Sequence, residues 1–222
     1  MAITNQGLRK CFAEFIGTFA LVFAGTGAII INDVSGGVIG HVGIALTFGL
    51  VIMVMIYALG DISGAHFNPA VSTGFWLAKK MSLQETLSFI LSQVAGAFAA
   101  TGLLRILFPQ HATLGTTLPN SVTTGAPFIL EVILTFFLMF VIIQVSTGAK
   151  EKGLMAGIAI GGTIALDALF GGPMTGASMN PARSLAPAIV SGHYEFLWIY
   201  LTAPFLGAAM AVGSWRLLRQ EH

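Results

Sequence analysis

Two ten-residue blocks standing 112 positions apart constrain this chain more than anything else in it: Ser63-Gly-Ala-His-Phe-Asn68-Pro69-Ala70-Val71-Ser72 and Thr175-Gly-Ala-Ser-Met-Asn180-Pro181-Ala182-Arg183-Ser184, identical at six positions. Each block follows two long apolar runs and precedes a third. The runs lie at about 11–31, 41–59 and 87–107 in the first half, and at about 127–145, 154–170 and 196–218 in the second. A bilayer crossing takes about 20 apolar residues, so the pattern predicts six transmembrane helices. Outside the blocks, Glu14-Phe-Ile-Gly-Thr18-Phe19 resembles Glu131-Val-Ile-Leu-Thr135-Phe136. The chain is therefore an internal duplication, approximately 8–107 and 125–218, within one transmembrane domain spanning 1–222. Three crossings per half is an odd number, so the second copy enters the membrane from the opposite face and the repeats are inverted.

Composition narrows the function. Of 222 residues 55% are hydrophobic and only 9% charged, which excludes a soluble domain and leaves no room for a sizeable catalytic domain outside the bilayer. The first run is longer than a signal-peptide core and is expected to be a retained span. A net charge of +1 offers no basic footprint for nucleic acid. Cys11 has no partner for an internal disulfide, and no His, Cys, Asp or Glu cluster has metal-ligand spacing, so neither metal nor cofactor is expected. No nucleophilic triad or phosphate-binding loop has a supporting context, and the chain is not expected to be an enzyme.

Orientation follows from the cations. Arg9 and Lys10, Lys79 and Lys80, Lys150 and Lys152, and Arg216 and Arg219 fall on one side if the spans alternate, whereas the first loop (32–40) and the third (108–126) carry no Lys or Arg. Both termini are expected on the cytoplasmic side; the short termini suit a bacterial inner membrane.

Asn is a strong N-cap and Pro is favoured at the first helical position, so each Asn-Pro-Ala predicts a helix start. Helices from Pro69 to about Lys79 and from Pro181 to about Val190 have roughly ten residues, or about 15 Å, half of a hydrocarbon core. Entering from opposite faces, they meet at the midplane with their N-termini together. The Gly-rich runs before them, 60–67 and 171–179, are then irregular backbone at membrane depth, tolerated only where it is buried in protein or lines a watery cavity. A pore accounts for both runs. The converging dipoles repel cations, hydronium included, while the Asn68 and Asn180 amides donate to a passing oxygen. Gly64, Ala65, His66, Thr175 and Gly176 are expected to line the same pore.

At these residues the sequence resembles the major intrinsic protein family, the aquaporins and aquaglyceroporins, over essentially its whole length. The resemblance implies an all-α membrane protein of six tilted helices and two re-entrant half-helices around one pore per subunit, assembled as a homotetramer. It also implies a constriction of four residues on the extracellular side. By motif spacing these are Phe48, twenty before Asn68; Ala168, twelve before Asn180; Ala177, three before it; and Arg183, three after it. Water-selective members usually place His where Ala168 stands, so this aperture should be wider and less polar, admitting solutes of glycerol, urea or boric and arsenous acid size. The stretch 172–190 is most similar to the nodulin-like intrinsic proteins. Ser184 stands where dedicated glycerol facilitators have Asp, and Asp167 where the nodulin-like pattern has Asn; Asp167 is either a solvated mouth residue or shapes the vestibule.

Glu14 and Glu131 occupy equivalent places in apolar spans. An intramembrane carboxylate suggests a proton relay, but each half also has irregular backbone whose N–H groups need an acceptor, and a scaffold role fits better. His66 is either a satisfied wall residue or a pH-sensitive gate; Asp61 sits at the cytoplasmic mouth. Gly96, Ala100, Gly207 and Ala211 are expected at close helix contacts. The reading is a passive channel in the lipid bilayer for water and small uncharged solutes. A secondary active transporter is the alternative, since inverted repeats with broken helices serve carriers too, but it calls for a carboxylate where the asparagines stand. A membrane scaffold with a vestigial pore is a third.

Overall fold

The computed structural model describes residues 5–120, 124–148 and 154–218, and within them the chain forms eight helices and no strand. In chain order these are α1 (Asn5–Val34), α2 (Gly40–Ser63), α3 (Pro69–Leu77), α4 (Leu83–Leu107), α5 (Gly125–Ser146), α6 (Ala156–Thr175), α7 (Pro181–Ser191) and α8 (Leu197–Leu218). Six of them are long and apolar enough to cross a membrane; α3 and α7, with 9 and 11 residues, are not. The spans run a few residues beyond their hydropathic cores because the flanking polar residues continue or cap the helices. Ser82 caps α4 by accepting from the Glu85 N–H at 3.2 Å.

The two halves pack alike. In the first, α1 lies against α2 and α4; in the second, α5 lies against α6 and α8; α2 and α6 join the halves. The short α3 and α7 each touch both α4 and α8. Close contacts fall where side chains are missing. A Cβ on Gly96 would strike the Phe15 carbonyl and one on Gly207 the Val132 carbonyl, equivalent places in α4·α1 and α8·α5. Ala100 and Ala211, one turn further on, are fully buried. Gly49 and Gly161 meet backbone to backbone where α2 crosses α6. Leu46, Leu50 and Val54 on α2, like Leu83, Leu87 and Leu91 on α4, form exposed stripes suited to lipid.

Two expectations need correction. The irregular runs are shorter than the Gly content suggests: α2 continues through Gly60 to Ser63 and α6 through Gly171 to Thr175, each stopped only by a left-handed glycine, Gly64 (φ 91°) and Gly176 (φ 82°). Pro173 sits inside α6 and removes the N–H that would bond the Leu169 carbonyl; His41 Nε2 of α2 donates to that carbonyl instead, at 2.8 Å. Asp167 is not a solvated mouth residue. It is 1% exposed, and its Oδ2 is buried without a hydrogen-bond partner among the described residues.

Cations gather at one end of the bundle. Lys10 pairs with Glu85 at 2.8 Å, joining the starts of α1 and α4, and Arg216 at the end of α8 donates to the Leu77 carbonyl at the end of α3. Lys80 shares a cavity with Lys10 and another with the end of α5. Lys150, Lys152 and Arg219 lie outside the described residues. Arg105 is at the opposite end, donating to the Pro109 and His111 carbonyls.

Adding a side chain at the backbone-limited contacts should force helices apart. Gly96→Val and Gly207→Val are each expected to lower stability by roughly 1–3 kcal/mol, read as thermal unfolding in detergent, while Gly102→Ala, with nothing within 4 Å of its would-be Cβ, leaves the transition in place.

Candidate functional site

The two half-helices start as their sequences dictate. Asn68 and Asn180 are extended N-caps (φ −157° and −145°) followed by Pro69 and Pro181 at the first helical position. The Asn68 carbonyl oxygen of the side chain accepts from the Ala70 N–H at 2.8 Å, and that of Asn180 accepts from Ala182 N–H at 3.0 Å and Arg183 N–H at 3.3 Å. Each amide nitrogen then reaches across to the other repeat: Asn68 Nδ2 donates to the Met179 carbonyl at 2.8 Å, and Asn180 Nδ2 to the Phe67 carbonyl at 2.9 Å. The two N-termini are thereby bonded reciprocally. One N–H of each amide is occupied in this way, so one, not two, remains for a molecule in the lumen.

The backbone leading to each cap is strained alike. Ala65 and Phe67 have φ of 54° and 50°; Ala177 and Met179, their equivalents, have 42° and 53°. Left-handed conformations at residues with side chains are costly and persist only where surroundings impose them. A carboxylate imposes each. Glu14 accepts from His66 N–H at 2.9 Å, Phe67 N–H at 2.7 Å, the Ser63 hydroxyl at 2.7 Å and Gln93 Nε2 at 2.7 Å. Glu131 accepts from Ser178 N–H at 2.9 Å, Met179 N–H at 2.9 Å and the Thr175 hydroxyl at 2.7 Å. Both carboxylates are fully buried. The Phe67 ring covers Gly17 of α1, where any Cβ would collide with it.

One cavity runs past these caps, enclosing about 100 Å³ of space open to a water molecule. Gly64, Ala65, His66, Asn68, Ala177 and Asn180 line it, together with Phe48, Ala168 and Arg183. Thr175 and Gly176 do not: Thr175 is fully buried behind the lumen, its hydroxyl on Glu131 and its carbonyl accepting from the Tyr200 hydroxyl at 2.6 Å. Pro69, Ala70, Pro181 and Ala182 are buried in the first turns of α3 and α7. Beside Phe48, the Arg183 guanidinium carbon stands 5.1 Å from the ring centroid, and Nη1 donates to the Gly115 carbonyl at 2.8 Å. His66 stacks on Phe75 with centroids 4.5 Å apart, and its Nδ1 lies 3.0 Å from the Ser72 hydroxyl. Asp61 is exposed near the end of α2. Among the described residues no group of His, Cys, Asp and Glu could hold a metal.

Sequence reasoning missed the polar groups behind the lumen. Gln93 donates to both Glu14 and Ser72, and Thr117 links through Ser184 to Ser178. Gln93 had a signal, an amide inside an apolar span; Gly115, which contributes only a carbonyl, had none.

Six crossing helices and two half-helices butted at their N-termini beside one lumen define a membrane channel. The model of the family described as "Major intrinsic protein" matches residues 1–215. Aquaporin NIP3-1 of Arabidopsis thaliana is 46% identical over 221 residues, covering 96% of this chain and 68% of that protein. Nodulin-26 of Glycine max is 46% identical over 209 residues, covering 94% and 76%. The X-ray structure of the aquaglyceroporin from Plasmodium falciparum superposes with a TM-score of 0.83 at 26% identity, covering 96% of each chain. The chain belongs to the major intrinsic protein family: it is a multi-pass membrane protein and a passive channel for water and small solutes, not an enzyme.

Glu14→Gln and Glu131→Gln each set an amide N–H against donors already pointing at the carboxylate. Each is expected to lower stability by roughly 2–3 kcal/mol, seen as an earlier thermal transition in detergent, and Gln93→Leu by less.

Proposed function

We propose that the channel, built of inverted repeats over about 8–107 and 125–218, passes water together with small uncharged solutes of the size of glycerol, urea and boric or arsenous acid, and excludes protons and ions. One observation carries the reading: Asn68 and Asn180 cap facing half-helices over one lumen, each keeping a free amide N–H. A permeant oxygen there meets donors only, from amides and helix termini alike, so a file of waters turns its oxygens inward and relays no proton through the centre. Phe48, Ala168, Ala177 and Arg183 form the selective constriction. Arg183 supplies donors and positive charge on one wall, while the phenyl ring and two methyl groups accept a carbon skeleton on the others. Gly64, Ala65 and His66 line the opposite half. Glu14 and Glu131 are scaffold carboxylates, fully committed to backbone and side-chain donors and so unsuited to relay protons.

Both termini lie in the cytoplasm and the membrane is a cell (inner) membrane in this reading, which the gathered cations support through the positive-inside rule. The assembly is a homotetramer with one pore per subunit, surrounded by lipid.

Stopped-flow light scattering on proteoliposomes carrying the whole chain tests the reading. Flux of water, glycerol, urea and boric acid is expected to rise linearly with gradient and with low activation energy; saturation at millimolar solute, or dependence on a proton gradient, would overturn it. Ala168→His narrows the constriction with a polar ring and is expected to reduce glycerol flux several-fold more than water flux. Equal losses would remove Ala168 from the constriction.

A further inference from the structure

Arg183 owes its position to very little. Of its five donors, the structure satisfies Nη1 through the Gly115 carbonyl, while Nε is buried with no partner among the described residues. Beside its contact with the Phe48 ring, the guanidinium is held by a hydrogen bond to one backbone oxygen, and that oxygen sits in a left-handed turn: Leu114 and Gly115 have φ of 51° and 69° in succession. Leu114 is fully buried against Ile30 and Leu104, and a Cβ at Gly115 would press on Thr26, so the turn is docked on α1 and α4.

The turn is fastened from outside by an imidazole. The Leu114 N–H donates to His111 Nδ1 at 3.0 Å. A ring nitrogen that accepts carries no proton, so the proton is on Nε2, which faces Asp33 Oδ2 at 3.2 Å. Arg105 of α4 holds the His111 carbonyl at 3.0 Å. The bonds run without a break from Asp33 at the end of α1, through His111 and Leu114, to Gly115 and Arg183.

We propose that Asp33 and His111 are positioning residues for the constriction: they brace the 111–117 turn so that Gly115 holds the Arg183 guanidinium back against the wall. The inference rests on the placement of Arg183 at the constriction. With the brace cut, Gly115 retreats and the guanidinium, left with its contact to the Phe48 ring as its remaining hold, shifts into the lumen. Water still passes; a three-carbon polyol is obstructed. Selectivity is then set in part by two residues that do not line the lumen.

The test is the glycerol-to-water permeability ratio of reconstituted full-length variants. His111→Leu removes both bonds and is expected to lower the ratio roughly two- to tenfold, the shift one lost hydrogen bond produces in a two-state population. His111→Asn places its side-chain oxygen where Nδ1 stands, keeps the Leu114 bond but not the one to Asp33, and should lower the ratio no further than Asp33→Leu does. Asp33→Leu alters a half-exposed side chain at the end of α1, so it remains informative if His111→Leu does not assemble; it should lower the ratio in the same direction and by less. An unchanged ratio in Asp33→Leu and His111→Leu, or an equal loss in His111→Asn and His111→Leu, overturns the brace. A merely structural role would reduce both fluxes together and leave the ratio alone. Arg183→Val separates the two failures: if it too leaves the ratio unchanged, Arg183 is not at the constriction, whereas a changed ratio there beside unchanged braces condemns the brace alone.

Discussion

Two reciprocal hydrogen bonds at the middle of the molecule, Asn68 Nδ2 to Met179 and Asn180 Nδ2 to Phe67, carry the rest of the structure. Helix N-termini brought face to face repel, each acting as roughly half a positive charge, and nothing in the packing of α3 or α7 against α4 and α8 would by itself bring them into register. The asparagine side chain resolves this because it is both acceptor and donor. Its oxygen caps its own helix, one N–H ties the irregular segment of the other repeat, and the second N–H stays available. Aspartate could cap but not donate, and its charge would cancel the positive field; serine has a single proton to give. Only an amide meets all three demands at a depth where an unmet polar group is expensive.

Those bonds require the carbonyls of Phe67 and Met179 to point across the interface, which forces both residues into left-handed backbone. Glu14 and Glu131 compensate by collecting the N–H groups that the same twist turns away from the lumen. A buried carboxylate with three or four donors is stable in a way an isolated one is not. The first helix of each repeat thus does more than cross the bilayer: it carries the acceptor without which the short segment could not be irregular. Gly17 belongs to the same arrangement, since the Phe67 ring needs the room that a Cβ would take.

Much of this was legible in the sequence because it is periodic or local. Hydropathy located six spans, Asn-Pro located both half-helix starts, and the duplicated Glu pointed to duplicated acceptors. What escaped depends on tertiary neighbours. Glycines at 60 and 171 suggested loops, yet both stay helical because the helices run on until a left-handed glycine stops them, at Gly64 and Gly176. The same extension places Thr175 within α6, where its hydroxyl serves Glu131 rather than the lumen. Asp167 looked like a mouth residue from its charge alone; the face of α6 that carries it also carries Gly171, packed on Leu134 of α5, and so turns inward. The 108–120 segment had no motif at all, since what matters there is a carbonyl and a tautomer.

The duplication also shows where architecture ends and selectivity begins. Carboxylate, cap, proline, strained residues and the serine one turn into the half-helix recur at matching positions in both halves. The position of Arg183 does not: its counterpart is Val71, which lines the same cavity. Likewise Ser178, bonded to Ser184, corresponds to His66, stacked on Phe75 and close to Ser72. A second arginine at position 71 would set a second desolvation and charge barrier in series with the first, and conduction requires that binding be weak enough for release. The symmetric elements are those that must hold irregular backbone inside a membrane. The asymmetric ones line the cavity, where the proposed constriction sets a single charge, Arg183, among Phe48 and two alanines.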